Sequence, residues 1–223
     1  MGDDTLKRAA AEAALRFVPE GSVIGVGSGS TVNYFVAAMT RARTPIRGAV
    51  PASKATAELL SKAGIAIVDL NSMQQLPIYI DGADEINEQL EMIKGGGGSL
   101  TREKIIAAVA KTFLCIADES KWVASFGRAP LPVEVIPMAA EYVARQMKAR
   151  GGEPVLRKDF ITDNGNVILD IEGLPIFDPI ALEEEINQIV GVVTCGIFAR
   201  RHADILLLAR QAGVEQHYSF NRS

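Results

Sequence analysis

Short apolar segments alternate with helical segments through the first half of the chain, and this alternation is the strongest constraint on its fold. Strands are predicted at 23–26, 46–50, 65–70, 78–80 and 113–117. Helices are predicted at 3–17, 32–39, 52–63 and 102–111. Such a pattern is typical of an α/β domain whose parallel sheet is covered by helices on both faces. Catalytic loops should then lie at the carboxyl ends of the strands.

The pattern changes after the proline-rich stretch 130–137. Strands are predicted at 133–136, 154–157, 167–171 and 192–198, with helices at 138–149 and 179–188. This order of elements is the split βαβ arrangement of ferredoxin-like α+β domains. An apolar strand at 203–208 is expected to return to the first sheet. We therefore predict one domain from 1–128 plus 200–223 and an inserted domain at 129–199, with a less ordered polar tail from 211 onwards.

Composition limits the class of protein. The chain of 223 residues is 48% apolar and 22% charged, which is ordinary for one large or two small globular domains. Its net charge of −4 argues against nucleic acid as a partner. We see neither a signal peptide nor an apolar run of about 18 residues, and the two cysteines occur in apolar strand-like runs. A cytoplasmic protein without a membrane segment is expected.

A glycine-rich turn, GVGSGST, joins the first strand to the next helix. Backbone N–H groups, a helix N-terminus and three hydroxyls suit a phosphate monoester, with contacts expected from Ser28, Gly29, Ser30 and Thr31. A dinucleotide site is disfavoured because the spacing is GxGxG and no acid occurs at 32–57. A merely structural turn stays open as an alternative.

Two aspartates, Asp81 and Asp84, follow a strand in the sequence DGADE. Their alternatives are a solvated loop, a helix cap at Asp84, or a divalent-metal site. A metal would need more oxygen ligands or a nearby histidine, and the two histidines occur far along the chain. A metal is therefore possible but not required, and we expect none.

Lys94 leads into four consecutive glycines, and Glu103 follows at the start of a helix. Glycines cost conformational entropy on folding, so such a run indicates close approach of backbone to a ligand. We interpret the loop as N–H donors around developing negative charge, with Lys94 as the cation and Glu103 as a base. The alternative is that Thr101 caps the helix and Glu103 only decorates its first turn.

These segments together resemble the ribose-5-phosphate isomerase A family. The matching segments are GVGSGST, YIDGADEIN, MIKGGGG, LTREKI, LPVEVIPMA, TDNGNVILD and VGVVTCG. The resemblance implies a Rossmann-like domain with a small α+β domain, a homodimer or higher homo-oligomer, and cofactor-free interconversion of D-ribose 5-phosphate and D-ribulose 5-phosphate in the pentose phosphate pathway. Ser28 stands where the family often has threonine, which keeps the hydroxyl.

The resemblance also implies roles for individual residues. Catalytic roles fall on Glu103, Asp81, Asp84 and Lys94. Substrate contacts fall on Ser28, Gly29, Ser30, Thr31, Gly82, Ala83, Gly95, Gly96, Gly97, Lys121 and Lys7. Lysines are usually solvated, so for Lys7 and Lys121 an exposed, non-functional position is the alternative.

The sequence leaves three rival functions. An amino-sugar-phosphate isomerase/deaminase would release ammonia from its substrate. A non-catalytic sugar-phosphate sensor would keep the GSGST turn but would not need Glu103. A nucleotide-binding module is weakened by the missing acid.

Overall fold

The structure is a computed structural model, and it describes residues 4–219. Contacts divide these residues into two compact units. The first unit consists of residues 4–83, 102–122 and 203–219. The second unit consists of residues 84–101 and 123–202.

Helices and strands alternate along most of the chain. The helices among residues 4–219 are α1 (Asp4–Ala14), α2 (Ser30–Ala42), α3 (Lys54–Lys62), α4 (Leu100–Val109), α5 (Ala140–Ala149) and α6 (Pro179–Asn187). The strands are β1 (Val23–Val26), β2 (Gly48–Pro51), β3 (Leu76–Asp81), β4 (Glu85–Ile86), β5 (Met92–Ile93), β6 (Ala110–Asp118), β7 (Leu131–Val135), β8 (Glu153–Leu156), β9 (Val167–Glu172), β10 (Val192–Cys195), β11 (Ile197–Phe198), β12 (Ile205–Arg210) and β13 (Gly213–Tyr218). No helix within residues 4–219 is long and apolar enough to cross a membrane.

The first unit contains a six-stranded sheet in the order β13-β12-β6-β3-β1-β2. All neighbouring pairs are parallel except β12 and β13, which form an antiparallel hairpin. A core of apolar side chains from the sheet and from α1 and α2 stabilises this unit. Because β1, β3 and β6 are neighbours and point the same way, the loops that follow them emerge at one edge of the sheet.

The second unit contains an antiparallel sheet in the order β10-β7-β9-β8, together with α5 and α6. Its chain order is strand-helix-strand-strand-helix-strand, so the ferredoxin-like prediction is confirmed. Apolar side chains, among them Val133, Val143 and Ile186, form its core. A small antiparallel sheet, β11-β5-β4, also belongs to this unit, and its strand β5 ends just before the glycine loop.

Three sequence predictions differ from the structure. The segment 65–70 forms only an isolated bridge between Ile67 and Ala49, and Asp69 then accepts a hydrogen bond from the Asn71 N–H at 2.9 Å, which turns the chain away. The predicted strand 192–198 is split into β10 and β11, which belong to different sheets. The expectation of a less ordered tail was wrong for residues 213–218, which pair with β12 along their whole length. Residues 220–223 lie outside the described part of the chain.

The return of the chain to the first sheet is confirmed, because β12 pairs in parallel with β6 from Ile205 to Ala209. The domain boundaries drawn from the sequence stay a prediction. In the structure, residues 84–101 group with the second unit.

Candidate active site

The GSGST turn of the first unit presents an open helix N-terminus. Gly29 precedes α2 with φ of +93°, a conformation that favours glycine, and no side chain caps the helix. Gly29 and Ser30 are exposed and Thr31 is half-buried. The N–H groups and hydroxyls at the start of this 13-residue helix are therefore accessible to an anion.

Asp81 braces this turn from the end of β3. Its side chain is fully buried, and Oδ1 accepts hydrogen bonds from the N–H groups of Ser28 at 3.0 Å and Gly82 at 2.8 Å. A Cβ atom on Gly27 would lie only 1.9 Å from Asp81 Oδ1. Glycine at 27 is thus a requirement of close packing, which sequence spacing alone does not reveal.

Tyr79 is a site residue that the sequence analysis missed. It lies two residues before Asp81 on the same face of β3, and its hydroxyl donates to Asp81 Oδ2. Burial raises the pKa of the Tyr79 phenol well above its usual value, and the carboxylates of Asp81 and Glu103 add to this effect. Tyr79 therefore stays a neutral hydrogen-bond donor. The sequence signal that could have identified it is the alternation Tyr-Ile-Asp, which puts Tyr79 and Asp81 on the same face of a strand.

Glu103 lies in the first turn of α4, and its side chain is only 3% exposed. Ser28 Oγ donates a hydrogen bond to Glu103 Oε1 at 2.6 Å. The structure thus brings together Ser28, Asp81 and Glu103 within the first unit. A buried carboxylate beside an anion-accessible turn suits proton transfer better than surface decoration.

The glycine loop of the second unit forms a tight turn. The Gly98 N–H donates to the Gly95 carbonyl at 2.9 Å, and Gly96 and Gly97 are exposed at the tip. Lys94 precedes the turn, is 3% exposed, and places Nζ 5.5 Å from the centroid of the Phe198 ring. Gly98 has φ of +82°, and the Phe160 ring occupies the space that its Cβ would fill. The loop is therefore shaped by its surroundings and does not behave as a linker.

Asp84 belongs to the second unit and contacts this turn. Its Oδ2 accepts a hydrogen bond from the Gly96 N–H at 2.7 Å. The helix-cap alternative is wrong, because Asp84 is followed by β4 and not by a helix. Among residues 4–219, no group of three or more histidine, cysteine, aspartate or glutamate side chains is placed to hold a metal ion.

Thr101 is not a helix cap, because α4 begins one residue earlier. Its hydroxyl donates to Glu134, a fully buried carboxylate at the centre of β7. The other oxygen of Glu134 accepts from Thr162 Oγ1 at 2.9 Å and Asn166 Nδ2 at 2.8 Å. This satisfied buried network gives Thr101 a structural role.

Three further polar residues lie in the first unit. Lys121 is half-buried in a short 3₁₀ helix directly after β6, at the edge where the other strand ends meet. Lys7 lies in α1, where it donates to Asp4 Oδ1 at 3.2 Å, and this hydrogen bond lowers the pKa of Asp4. Asp118, which the sequence analysis did not consider, is buried at the end of β6. Its Oδ1 accepts from the Ser120 N–H, whereas Oδ2 has no hydrogen-bond partner among residues 4–219.

One known protein family matches most of the chain. The family described as ribose 5-phosphate isomerase A (phosphoriboisomerase A) matches residues 48–213, well over half of the chain. The chain belongs to the ribose 5-phosphate isomerase A family. The membership predicted from its motifs is thus confirmed.

Solved structures of ribose 5-phosphate isomerases share the whole fold. One from Neisseria gonorrhoeae is 49% identical, covers 98% of both chains and superposes with a TM-score of 0.96. One from Methanocaldococcus jannaschii is 39% identical, with coverage of 96% of this chain and 98% of its own, and a TM-score of 0.90. A third, in complex with phospho-erythronic acid, is 37% identical, with coverage of 98% and 100%, and a TM-score of 0.92. The predicted parallel-sheet domain with a small α+β domain is the architecture of ribose 5-phosphate isomerase A.

Proposed function

We propose that the protein interconverts D-ribose 5-phosphate and D-ribulose 5-phosphate by proton transfer through an enediolate. Membership of the ribose 5-phosphate isomerase A family supports the reaction. The observation that carries the mechanism is the hydrogen bond between buried Glu103 and Ser28, at the exposed start of α2. A shielded carboxylate thus lies beside an uncapped helix N-terminus, a feature that suits a phosphate.

Glu103 acts as the base in this proposal. It removes the proton from C2 of the open-chain sugar, and the electron pair forms the C1–C2 double bond while O1 becomes negative. The same carboxyl group then returns the proton to C1, and the hydroxyl proton passes from O2 to O1. Glu103 is only 3% exposed, so bulk water does not compete with the sugar for its carboxylate oxygens.

Lys94 and the exposed tip of the glycine turn stabilise the enediolate oxygens as charge develops. The tip is exposed while Lys94 is shielded from water, which strengthens its electrostatic contribution. Asp81 assists ring opening, and Asp84 orients the glycine turn through Gly96 or holds substrate hydroxyls. Phospho-erythronic acid, the ligand of one related structure, carries a planar carboxylate that resembles an enediolate in charge and shape.

The phosphate is bound by Ser28, Gly29, Ser30 and Thr31, with Lys7 and Lys121 as further cationic contacts. Remote binding energy of this kind fixes C1 and C2 near the base. Lys7, whose side chain is 13% exposed, must then exchange its pairing with the exposed Asp4 carboxylate for the substrate.

We also propose a cytoplasmic homodimer or higher homo-oligomer. The second unit exposes large apolar side chains at Ile136, Met138 and Val190. Ile136 donates its N–H to the Gly191 carbonyl, so the chain segments that carry these residues lie side by side. Apolar patches of this kind mark protein interfaces more often than free surface.

The test of the proposed reaction is a direct assay in heavy water with a chelator present. The purified protein is expected to convert ribose 5-phosphate to ribulose 5-phosphate and to incorporate solvent deuterium at carbon. Glucosamine 6-phosphate should yield no ammonia. Binding without conversion would support the sensor, and ammonia release would support the deaminase.

Replacing Ser30 and Thr31 by alanine should weaken the binding of phosphorylated substrates and leave that of unphosphorylated sugars unchanged. Each lost hydroxyl removes a hydrogen bond to a charged group, worth about 1.5–3 kcal/mol, so KM should rise at least tenfold for the double variant. The comparison is kcat/KM for ribose 5-phosphate against free ribose. An equal loss for both sugars would contradict the phosphate assignment. Thr40→Ala, on the same helix, is the control, because its hydroxyl bonds only the Val36 carbonyl.

A further inference from the structure

Arg157 reaches the glycine turn from the carbonyl side. It follows β8 directly, and its guanidinium Nη1 donates to the carbonyl oxygens of Gly95 at 3.4 Å and Gly96 at 3.2 Å. Nη2 also donates to Gly95 at 3.4 Å. All of these residues belong to the second unit. Arg157 is thus the side chain that holds the two carbonyl groups at the tip.

Asp170 fixes the guanidinium in that position. Arg157 Nε donates to Asp170 Oδ2 at 2.8 Å and Nη2 to Oδ1 at 2.6 Å, a bidentate pair on β9. Both side chains are at least four-fifths shielded from solvent. Asp170 therefore neutralises the charge of Arg157, which leaves a fixed pair of donors and not a free cation for the substrate.

Planarity of the peptide group carries the consequence to the N–H donors. In a trans peptide the C=O of one residue and the N–H of the next point in opposite directions. The Gly95 carbonyl points towards Arg157. The Gly96 N–H therefore points the other way, where it donates to Asp84 Oδ2. With the Gly96 carbonyl also towards Arg157, the Gly97 N–H points away from the guanidinium. Among residues 4–219, the Gly97 N–H has no acceptor.

Phe160 completes the enclosure of the turn. The Arg157 guanidinium carbon lies 5.2 Å from the centroid of the Phe160 ring, and the same ring packs on Gly98. Four glycines without such contacts would sample many backbone conformations. The ordered turn therefore depends on side chains that come about 60 residues later in the sequence.

We propose that Arg157, fixed by Asp170, is a positioning residue that orients the Gly95–Gly97 peptides so that the Gly97 N–H donates to the enediolate. The inference rests on the proposed role of the glycine turn in charge stabilisation. Arg157 itself touches no reacting atom. Its effect on the reaction is to keep a donor pointed at the oxygen before charge develops there, which is the condition for electrostatic stabilisation.

The decisive variant is Arg157→Lys. Lysine keeps the positive charge beside Asp170, and hence the stability of the unit, but it cannot hold both carbonyl groups as the guanidinium fork does. We expect kcat to fall about 10–100-fold, less than the loss from removing a donor outright, with little change in KM. The inhibition constant of phospho-erythronic acid should rise by a similar factor, since this ligand mimics the charged intermediate.

Two further variants keep the test falsifiable. Arg157→Ala should lose at least as much kcat, and guanidinium ion at non-denaturing concentration should restore part of it. Asp170→Asn should reduce kcat because the bidentate pair is lost. The matched control is Arg200→Ala, in which an exposed arginine of the same unit loses only its surface pairing with Glu184.

The outcomes separate this inference from the proposed function. If Lys94→Ala loses kcat while Arg157→Lys keeps full kcat and full affinity for phospho-erythronic acid, the positioning role is wrong and the proposed function stands. If neither variant alters kcat, the glycine turn has no part in charge stabilisation. The positioning role of Arg157 and the charge-stabilising role of Lys94 are then both wrong. A loss of kcat in Arg157→Lys at unchanged thermal stability, with parallel loss of inhibitor affinity, supports the positioning role.

Discussion

Glu103→Gln is expected to lower kcat about 10²–10⁴-fold while the fold stays intact. Glutamine cannot accept the C2 proton, but its carbonyl oxygen can still accept the hydrogen bond that Ser28 gives to Glu103. The two side chains have nearly the same volume, so the buried position is filled without a cavity. Steady-state kinetics of the isomerisation, with thermal unfolding measured in parallel, provide the check.

The control for this substitution is Glu119→Gln. Glu119 lies in the same unit, its side chain is partly exposed, and its carboxylate pairs with Arg210 at 3.8 Å. It should keep full kcat. A near-normal kcat in Glu103→Gln would remove Glu103 from the mechanism, whatever the behaviour of the control.

Lys94→Ala is expected to cost about 3 kcal/mol of transition-state stabilisation, which is roughly 10²-fold in kcat. Its ammonium group is shielded from water and lies over Phe198, so no mobile ion can easily replace its charge. Alanine also removes the buried aliphatic chain. Lys94→Met therefore accompanies it, because methionine keeps most of the volume and loses only the charge.

Both variants should lose kcat to a similar extent if the charge is what matters. Lys148→Met is the control, since Lys148 belongs to the same unit and makes only an exposed pair with Glu153. A rise in KM with unchanged kcat would show that Lys94 binds ground state and transition state equally, which contradicts its proposed role.

Local sequence patterns predicted the elements that carry the site. Apolar runs bounded by glycine located β1 at its observed ends and β3 and β6 to within a few residues. The turn GSGST and the acid after β3 were identifiable because strand-to-helix loops of parallel sheets have their own residue preferences. The resemblance of these motifs to those of a known family then identified the family to which the chain belongs.

Features that depend on distant pairing were not predictable in this way. The segment 65–70 has the composition of a strand, but it makes a single bridge to Ala49 before Asp69 ends the extended conformation. The segment 213–218 is polar because it is an edge strand with half of its side chains in solvent, and Val214 still packs on the core. Polarity alone therefore suggested disorder where the structure has a hairpin.

The buried polar contacts were equally hidden. Nothing local in the sequence links Arg157 to Gly95, because the contact exists only after β8 and β9 have paired. The same holds for Glu134, whose partners come from two separate segments, at Thr101 and at 162–166. Such contacts are fixed by tertiary structure, and pattern analysis registers only the residue types.

The position of β12 has a consequence for synthesis on the ribosome. Every residue that we place in contact with the substrate is translated by Lys121, yet β6 remains an unprotected sheet edge until β12, at Ile205–Arg210, has emerged. At the usual rate of 5–20 residues per second, the interval from Asp118, the end of β6, to Arg210 lasts roughly 5–20 s. During that time the nascent chain displays an apolar strand edge, so this enzyme should depend on chaperones while it is being made and acquire its activity only when translation is nearly complete.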